Sequence, residues 1–416
     1  ASQRAAGADR VPVEEISIAE LEAAYLSGRT TAHAVTQAHL DRINAYDKRG
    51  PLINALITVS PHALEQADRL DAQLKATGKP VGPLHGIPVI VKDNIDVAGL
   101  PMTSGYQGWK NYYPAADAPL VKKLTAAGAI ILAKSSLSEF AYGIVDNVNS
   151  VLSGFARNPY NTAFATGGSS GGSAAALAAS FGVVAIGTDT GGSVRMPSAF
   201  NALVGLRPTV GVVSRTRIVP LNSVRDTAPA MGLSVTALAI LLDVIAGPDI
   251  EDEATARATN HRPPTYTSGL RRDALKGARL GVLRQVFGPA VTDPRVLAHF
   301  EITLTELKAA GAEIVDSFVA PELGSIPRGP LPARFKDDLT RWLARHPGVP
   351  FGSVRAIADS RLVHPLHQAA LEAAAAAKPV DEDPQTIETA KNERQYRDDF
   401  AAAMDAAKID AVVLPT

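Results

Sequence analysis

Ala174-Ala175-Ala176-Leu177-Ala178-Ala179-Ser180-Phe181-Gly182-Val183-Val184-Ala185-Ile186-Gly187 reads as an Ala-rich helix, a glycine stop and a short apolar strand. Alanine is the strongest helix former, glycine ends helices, and an unbroken run of valine and isoleucine suits a strand buried on both faces. The alternation recurs outward, with strands expected at Ile87 to Val91, Ala129 to Ala133, Arg279 to Leu283 and Ile314 to Val319. Strands separated by helices wind into a helix-covered sheet. The expected fold is therefore one large α/β domain with a mixed, mostly parallel central sheet and helices on both faces.

Residues 1–80 read as a helical segment packed on that core, and residues 81–416 as the α/β domain itself. Ser17-Ile18-Ala19-Glu20 has the form of a capping box, with Leu21, Ala24 and Tyr25 on one face and Gly28 as the stop. A second helix is expected near Ala32 to Tyr46. A third is announced by Ser60-Pro61 and ends at Gly78. The polar stretch from Gly247 to Gly269 has no period and is expected to be an insertion. Ala1 suggests a processed or trimmed start, and the strand-like ending Ile409 to Thr416 suggests that sequence is missing beyond it.

Composition narrows the chemistry. Forty-one basic and 42 acidic residues give a net charge of −1, so no broad field draws in nucleic acid or an anionic membrane. No apolar run approaches the length of a membrane span. Cysteine is absent, which excludes disulfides, thiolate metal sites and a cysteine nucleophile, and leans slightly toward export over the cytoplasm. A small-molecule substrate and a monomer or homodimer are expected, with no cofactor and no metal.

Three segments carry chemical signals. In Gly86-Ile87-Pro88-Val89-Ile90-Val91-Lys92-Asp93-Asn94 an apolar strand ends in a lysine. Desolvation lowers a lysine pKa and makes the amine a usable base, although Lys92 would equally suit a side chain snorkelling to solvent beside Asp93. In Gly187-Thr188-Asp189-Thr190-Gly191-Gly192-Ser193-Val194-Arg195 a strand enters a double-glycine turn before a serine. Backbone N–H groups of Thr190, Gly191, Gly192 and Ser193 are placed to form an oxyanion hole, with Asp189 bracing the turn; an ordinary glycine turn before a helix is the alternative. The third segment, Thr166-Gly167-Gly168-Ser169-Ser170-Gly171-Gly172-Ser173, lies at a helix start. It lacks the lysine of a phosphate-binding loop and any Gly-x-Gly-x-x-Gly, so nucleotide binding is not expected.

The Gly/Ser run at 167–173, followed by residues 187–195, resembles the amidase signature family. Ser169 and Ser193 are spaced as that family's bridging and nucleophilic serines, and Lys92 matches its base. Asn158-Pro159-Tyr160-Asn161 and Gly205-Leu206-Arg207-Pro208-Thr209 are further matching pieces. The resemblance implies a carboxylic amide hydrolase, with esters and carbamates as further substrates. Ser193 would form an acyl-enzyme while Ser169 passes protons to neutral Lys92. It also implies a cis Gly168–Ser169 peptide and supporting roles for Ser170 and Arg195. One departure is Asp226-Thr227-Ala228-Pro229-Ala230-Met231-Gly232-Leu233, which lacks the family's usual Gly-Pro and Arg and implies a reshaped loop.

Two other readings compete. A glutamine-amidase component of a transamidating complex would carry the same signature. Gly168-Ser169-Ser170-Gly171-Gly172 also satisfies the Gly-x-Ser-x-Gly elbow of α/β-hydrolases, with Ser170 as nucleophile and His261, His299, His346, His364 or His367 as base. Tyr106, Trp109, Tyr112 and Tyr113 fit either an aromatic pocket mouth or a loop packed on the body.

Overall fold

The computed structural model describes residues 12–142, 149–259, 262–322 and 331–416. Its contacts gather into two compact units, Ala1–Thr267 with Gly329–Ala377, and Ser268–Arg328 with Lys378–Thr416.

The first unit opens with α1 (Ile18–Leu26), whose capping box is formed: Ser17 Oγ accepts from Glu20 N, and the Glu20 carboxylate accepts from Ser17 N at 2.8 Å. Helix α2 (Ala32–Tyr46) matches its expected span. Strand β1 (Leu56–Val59) follows, then α3 (Ala63–Thr77), which ends on Gly78 at φ 67°. The N-terminal segment is thus more than helical, because β1 pairs antiparallel with β3 and closes one edge of the central sheet. Next come β2 (Pro88–Lys92), α4 (Pro119–Ala126), β3 (Ile130–Ser135) and a hairpin of β4 (Asn149–Ser150) with β5 (Gly154–Phe155). The chain continues through α5 (Gly171–Ala178), β6 (Val184–Ile186), α6 (Arg195–Phe200), β7 (Val204–Leu206) and β8 (Ala230–Gly232). Helices α7 (Val235–Ile245) and α8 (Ala254–Thr259) end this stretch. Beyond α9 (Pro294–Ala309), α10 (Pro332–Ala344), α11 (Val354–Asp359) and α12 (Pro365–Ala376) return to the first unit.

The central sheet has the order β1-β3-β2-β6-β8-β7, parallel at β3-β2-β6 and antiparallel elsewhere. This is the expected mixed α/β sheet. Val89, Ile90, Val91, Val184, Ala185 and Ile186 are all fully buried, as the unbroken apolar runs of β2 and β6 require. A second core cluster stacks Trp109 on Trp342 at 5.6 Å and sets Phe140 edge-on to Trp109 at 5.1 Å. Tyr106 and Trp109 are completely buried there and pack the loop against the body, while Tyr113 is exposed.

In the second unit β9 (Arg279–Val282) lies between β10 (Glu313–Val315) and β11 (Ala411–Val413), all parallel, with α9 and α13 (Pro384–Ala407). The strands expected at Arg279 to Leu283 and Ile314 to Val319 therefore belong to a separate small sheet. Among the described residues no helix is long and apolar enough to cross a membrane.

Candidate active site

Strands β2 and β6 are parallel neighbours in register, Val91 opposite Ile186, so both end at the same level of the sheet. Carboxyl ends of parallel strands are where open α/β sheets build sites. Lys92 is the last residue of β2, and Thr188 follows β6 by two residues. The N-terminus of α5 brings Ser169 and Ser170 to the same place. Gly187 makes this approach possible, because a Cβ there would lie 2.5 Å from Val194 Cγ2 and 2.9 Å from Ser170 Oγ. The Gly168–Ser169 peptide is cis.

Lys92 is fully buried with its Nζ 2.8 Å from Ser169 Oγ and 2.7 Å from Thr188 Oγ1. Burial pushes its pKa down from 10.5 to about 7, against the opposing pull of the Asp189 and Asp226 charges. A neutral amine has one lone pair and two N–H bonds. With one N–H given to Thr188, the lone pair is free to accept the Ser169 proton. Asn94 Nδ2 donates to the same Thr188 hydroxyl at 3.1 Å, which fixes that oxygen as an acceptor.

Ser193 is buried, and its carbonyl accepts from Ser170 N at 3.0 Å, which ties the Asp189–Ser193 turn to the start of α5. Among the described residues its hydroxyl makes no hydrogen bond, so the Lys92–Ser169 link is formed and a Ser169–Ser193 link is not. Asp189 sits at the centre of the turn. Its carboxylate accepts from Gly192 N at 2.7 Å, Val194 N at 3.0 Å and Arg195 Nε at 3.2 Å, and Arg207 Nε lies 3.3 Å away. Burial works to raise its pKa, but Arg195 and the two amides hold the carboxylate below its ordinary value.

These bonds alter the expected oxyanion donors. Gly192, at φ 128°, turns its N–H toward Asp189 and is therefore not free. The N–H groups of Thr190, Gly191 and Ser193 have no acceptor among the described residues. Ser170 Oγ donates to Thr188 O at 3.1 Å and accepts from Thr188 N at 3.3 Å, locking the ends of β6 and α5 together. No histidine bonds it among the described residues, and His261 lies outside them, so the elbow reading gains nothing. His85 accepts from Val81 N at 3.2 Å as a turn histidine.

The sequence reading missed Thr188, Asn94 and Asp226. Asn94 follows Lys92 by two residues, the spacing that puts side chains on one face of an extended chain, and that signal was available. Asp226 had no such signal. It belongs to the motif that departs from the family pattern, yet Thr227 bridges to Asp189 and Thr190 Oγ1 donates to Asp226 at 2.5 Å. The altered motif therefore lies against the Asp189–Ser193 turn. Burial pushes the Asp226 carboxyl up to about 6, against hydrogen bonds from Thr190, Asn222 and Leu221. A second buried lysine, Lys134 on β3, pairs with Asp93 at 2.9 Å, which keeps the residue next to Lys92 neutralised. Beside the site opens a cleft of about 220 Å³, lined by Asn94, Thr188, Thr190 and Asp226 and by Arg217 to Leu221, Trp342 and His346.

A family model described as Amidase matches residues 34–416. The chain belongs to the amidase family. Within this family it is 41% identical over 300 residues to the A subunit of glutamyl-tRNA(Gln) amidotransferase from Symbiobacterium thermophilum, covering 72% of this chain and 59% of that protein's length. The corresponding protein of Thermosynechococcus vestitus is 38% identical over 336 residues, 80% of this chain and 67% of its own. The native peptide amidase of Stenotrophomonas maltophilia superposes with a TM-score of 0.88 at 35% identity, over 97% of this chain and 86% of that one. This amidase-family chain thus spans about three fifths of the first of these curated relatives, and nearly all of it finds a counterpart in a solved amidase.

Proposed function

We propose that the protein hydrolyses carboxylic amides through an acyl-enzyme on Ser193. The observation that carries this reading is the buried Lys92 amine, held 2.8 Å from Ser169 with its pKa lowered to about 7. Ser193 Oγ attacks the amide carbonyl while its proton moves to Ser169 and the Ser169 proton moves to Lys92. The Ser169–Ser193 bond closes when substrate is bound, since hydrogen bonds of this kind tighten in the reacting complex. The new oxyanion takes the free N–H groups of Thr190, Gly191 and Ser193, each such donor being worth about 3 to 4 kcal/mol in the transition state. The proton on Lys92 returns through Ser169 to the leaving nitrogen, the C–N bond breaks and the amine departs. Water repeats the sequence on the acyl-enzyme, leaving a carboxylate and free Ser193.

Peptide amides are the favoured substrates, because the likeness to peptide amidase extends over 97% of the chain. The identity with the amidotransferase relatives favours a second reading, in which the chain releases ammonia from glutamine inside a transamidating complex. Ammonia release by the isolated protein decides between them. A C-terminal peptide amide should be hydrolysed without a partner, and Ser193→Ala should lower the rate by about 10⁴-fold or more. Turnover of glutamine alone, and only with added partner proteins, supports the second reading instead.

A further inference from the structure

A second cavity, of about 590 Å³, lies between β7 and Tyr266 and shares one side chain with the Asp189–Ser193 turn. That side chain is Arg207, whose Nε is 3.3 Å from Asp189 Oδ1. Arg257 and Arg262 also line the cavity, and no acidic residue does among the described residues. Both are exposed, and among the described residues neither forms an ion pair. Lys123 lies outside the lining, its Nζ donating to the Ile245 and Ala246 carbonyls at 3.2 Å. Asp243 and Asp249 lie near the cavity but outside its lining; Asp243 accepts from the Thr267 hydroxyl at 2.6 Å, and Asp249 from Glu251 N at 3.0 Å. Val210, Leu242 and Tyr266 make much of the remaining wall apolar.

Arg207 is already paired with Asp189, but the exposed Arg257 and Arg262 carry no such partner among the described residues, and guanidinium groups bind carboxylates bidentately. We propose that this cavity binds an organic carboxylate with an apolar body, and that the ligand competes with Asp189 for Arg207. Its binding loosens the brace on the Gly192 and Val194 amides and slows acylation of Ser193. Carboxylates are what amide hydrolysis releases, so the site would sense product. This regulatory half rests on the nucleophile proposed above; the binding half does not.

The test uses 4-phenylbutyrate as probe and neutral 4-phenylbutanol as control, titrated calorimetrically into the wild type and into the Arg257→Gln/Arg262→Gln double variant. Both replaced side chains are exposed, and an unchanged melting curve together with an unchanged ligand-free labelling rate at Ser193 verifies the fold. Expected are a Kd of about 1 mM or tighter for the carboxylate, weakened at least ~10-fold in the double variant, and much weaker binding of the alcohol. Saturating carboxylate should slow phosphonylation of Ser193 in the wild type and not in the variant. Equal affinity in both proteins, or no binding at about 10 mM, overturns the site. Equal slowing in both places the ligand in the cleft beside Ser193 and also overturns it. Binding that leaves the labelling rate unchanged overturns the coupling through Arg207. If Ser193 is never labelled, the proposed function fails while the calorimetry still decides the site.

Discussion

Lys92 would be unsuited to its place at the end of β2 as an ammonium, and its burial makes the protein's pH dependence predictable. In the unfolded chain the amine keeps its proton up to about 10.5, while in the folded protein it releases it near 7. The unfolded state therefore binds more protons between those values, and stability rises with pH across that window. Urea unfolding should show Lys92→Met stabilised most at pH 7, with the advantage shrinking toward pH 10. With Lys92 as the base of the proposed mechanism, kcat/KM should rise through an acid limb near pH 7, as initial rates across pH will show. Thr188→Val removes an acceptor that favours the ammonium, so that limb should move to lower pH while kcat/KM falls about 10- to 100-fold. That the segments of Lys92, Ser169 and Ser193 meet in one place was legible in the sequence, because the glycine-rich stretches around them and their joint spacing are specific. Thr188 and Asp226 were not, because their roles arise from contacts across 96 and 36 residues of chain.

At the scale of elements, the site exists because β2 and β6 end level and α5 begins between them. Gly187 is the point of closest approach, and Gly187→Ala drives a methyl to 2.5 Å from Val194. Overpacking of this kind costs about 1 to 3 kcal/mol, so chemical denaturation should show that loss together with a lower kcat. The strands β2, β3 and β6 were readable from their apolar runs. Strand β1 was not, since its four residues lie between two strongly patterned helices and the edge position gives it only one neighbour. Nor does an apolar run say which sheet it joins: Arg279–Val282 has the same pattern as the central strands but pairs with β10 and β11. The missing cysteines, read as a lean toward export, find no support in the fold or the relatives.

At the scale of the whole molecule, the two units have separate cores. In the smaller unit Val282, Phe300 and Leu304 form one cluster, and Phe318, Ala320 and Ile409 another. Phe300→Ala should remove about 3 to 5 kcal/mol of packing, and hydrogen exchange should speed up in β9, β10 and β11 while β2, β3 and β6 stay protected. In the proposed mechanism one serine of this chain, Ser193, carries the acyl group. Intact-mass analysis after treatment with a serine-directed phosphonylating probe tests it most directly, on the wild type and on Lys92→Ala, Ser169→Ala and Ser193→Ala. Expected are a single adduct on the wild type, none on Ser193→Ala and slowed labelling of the other two; an adduct that persists on Ser193→Ala would move the acyl group to another residue.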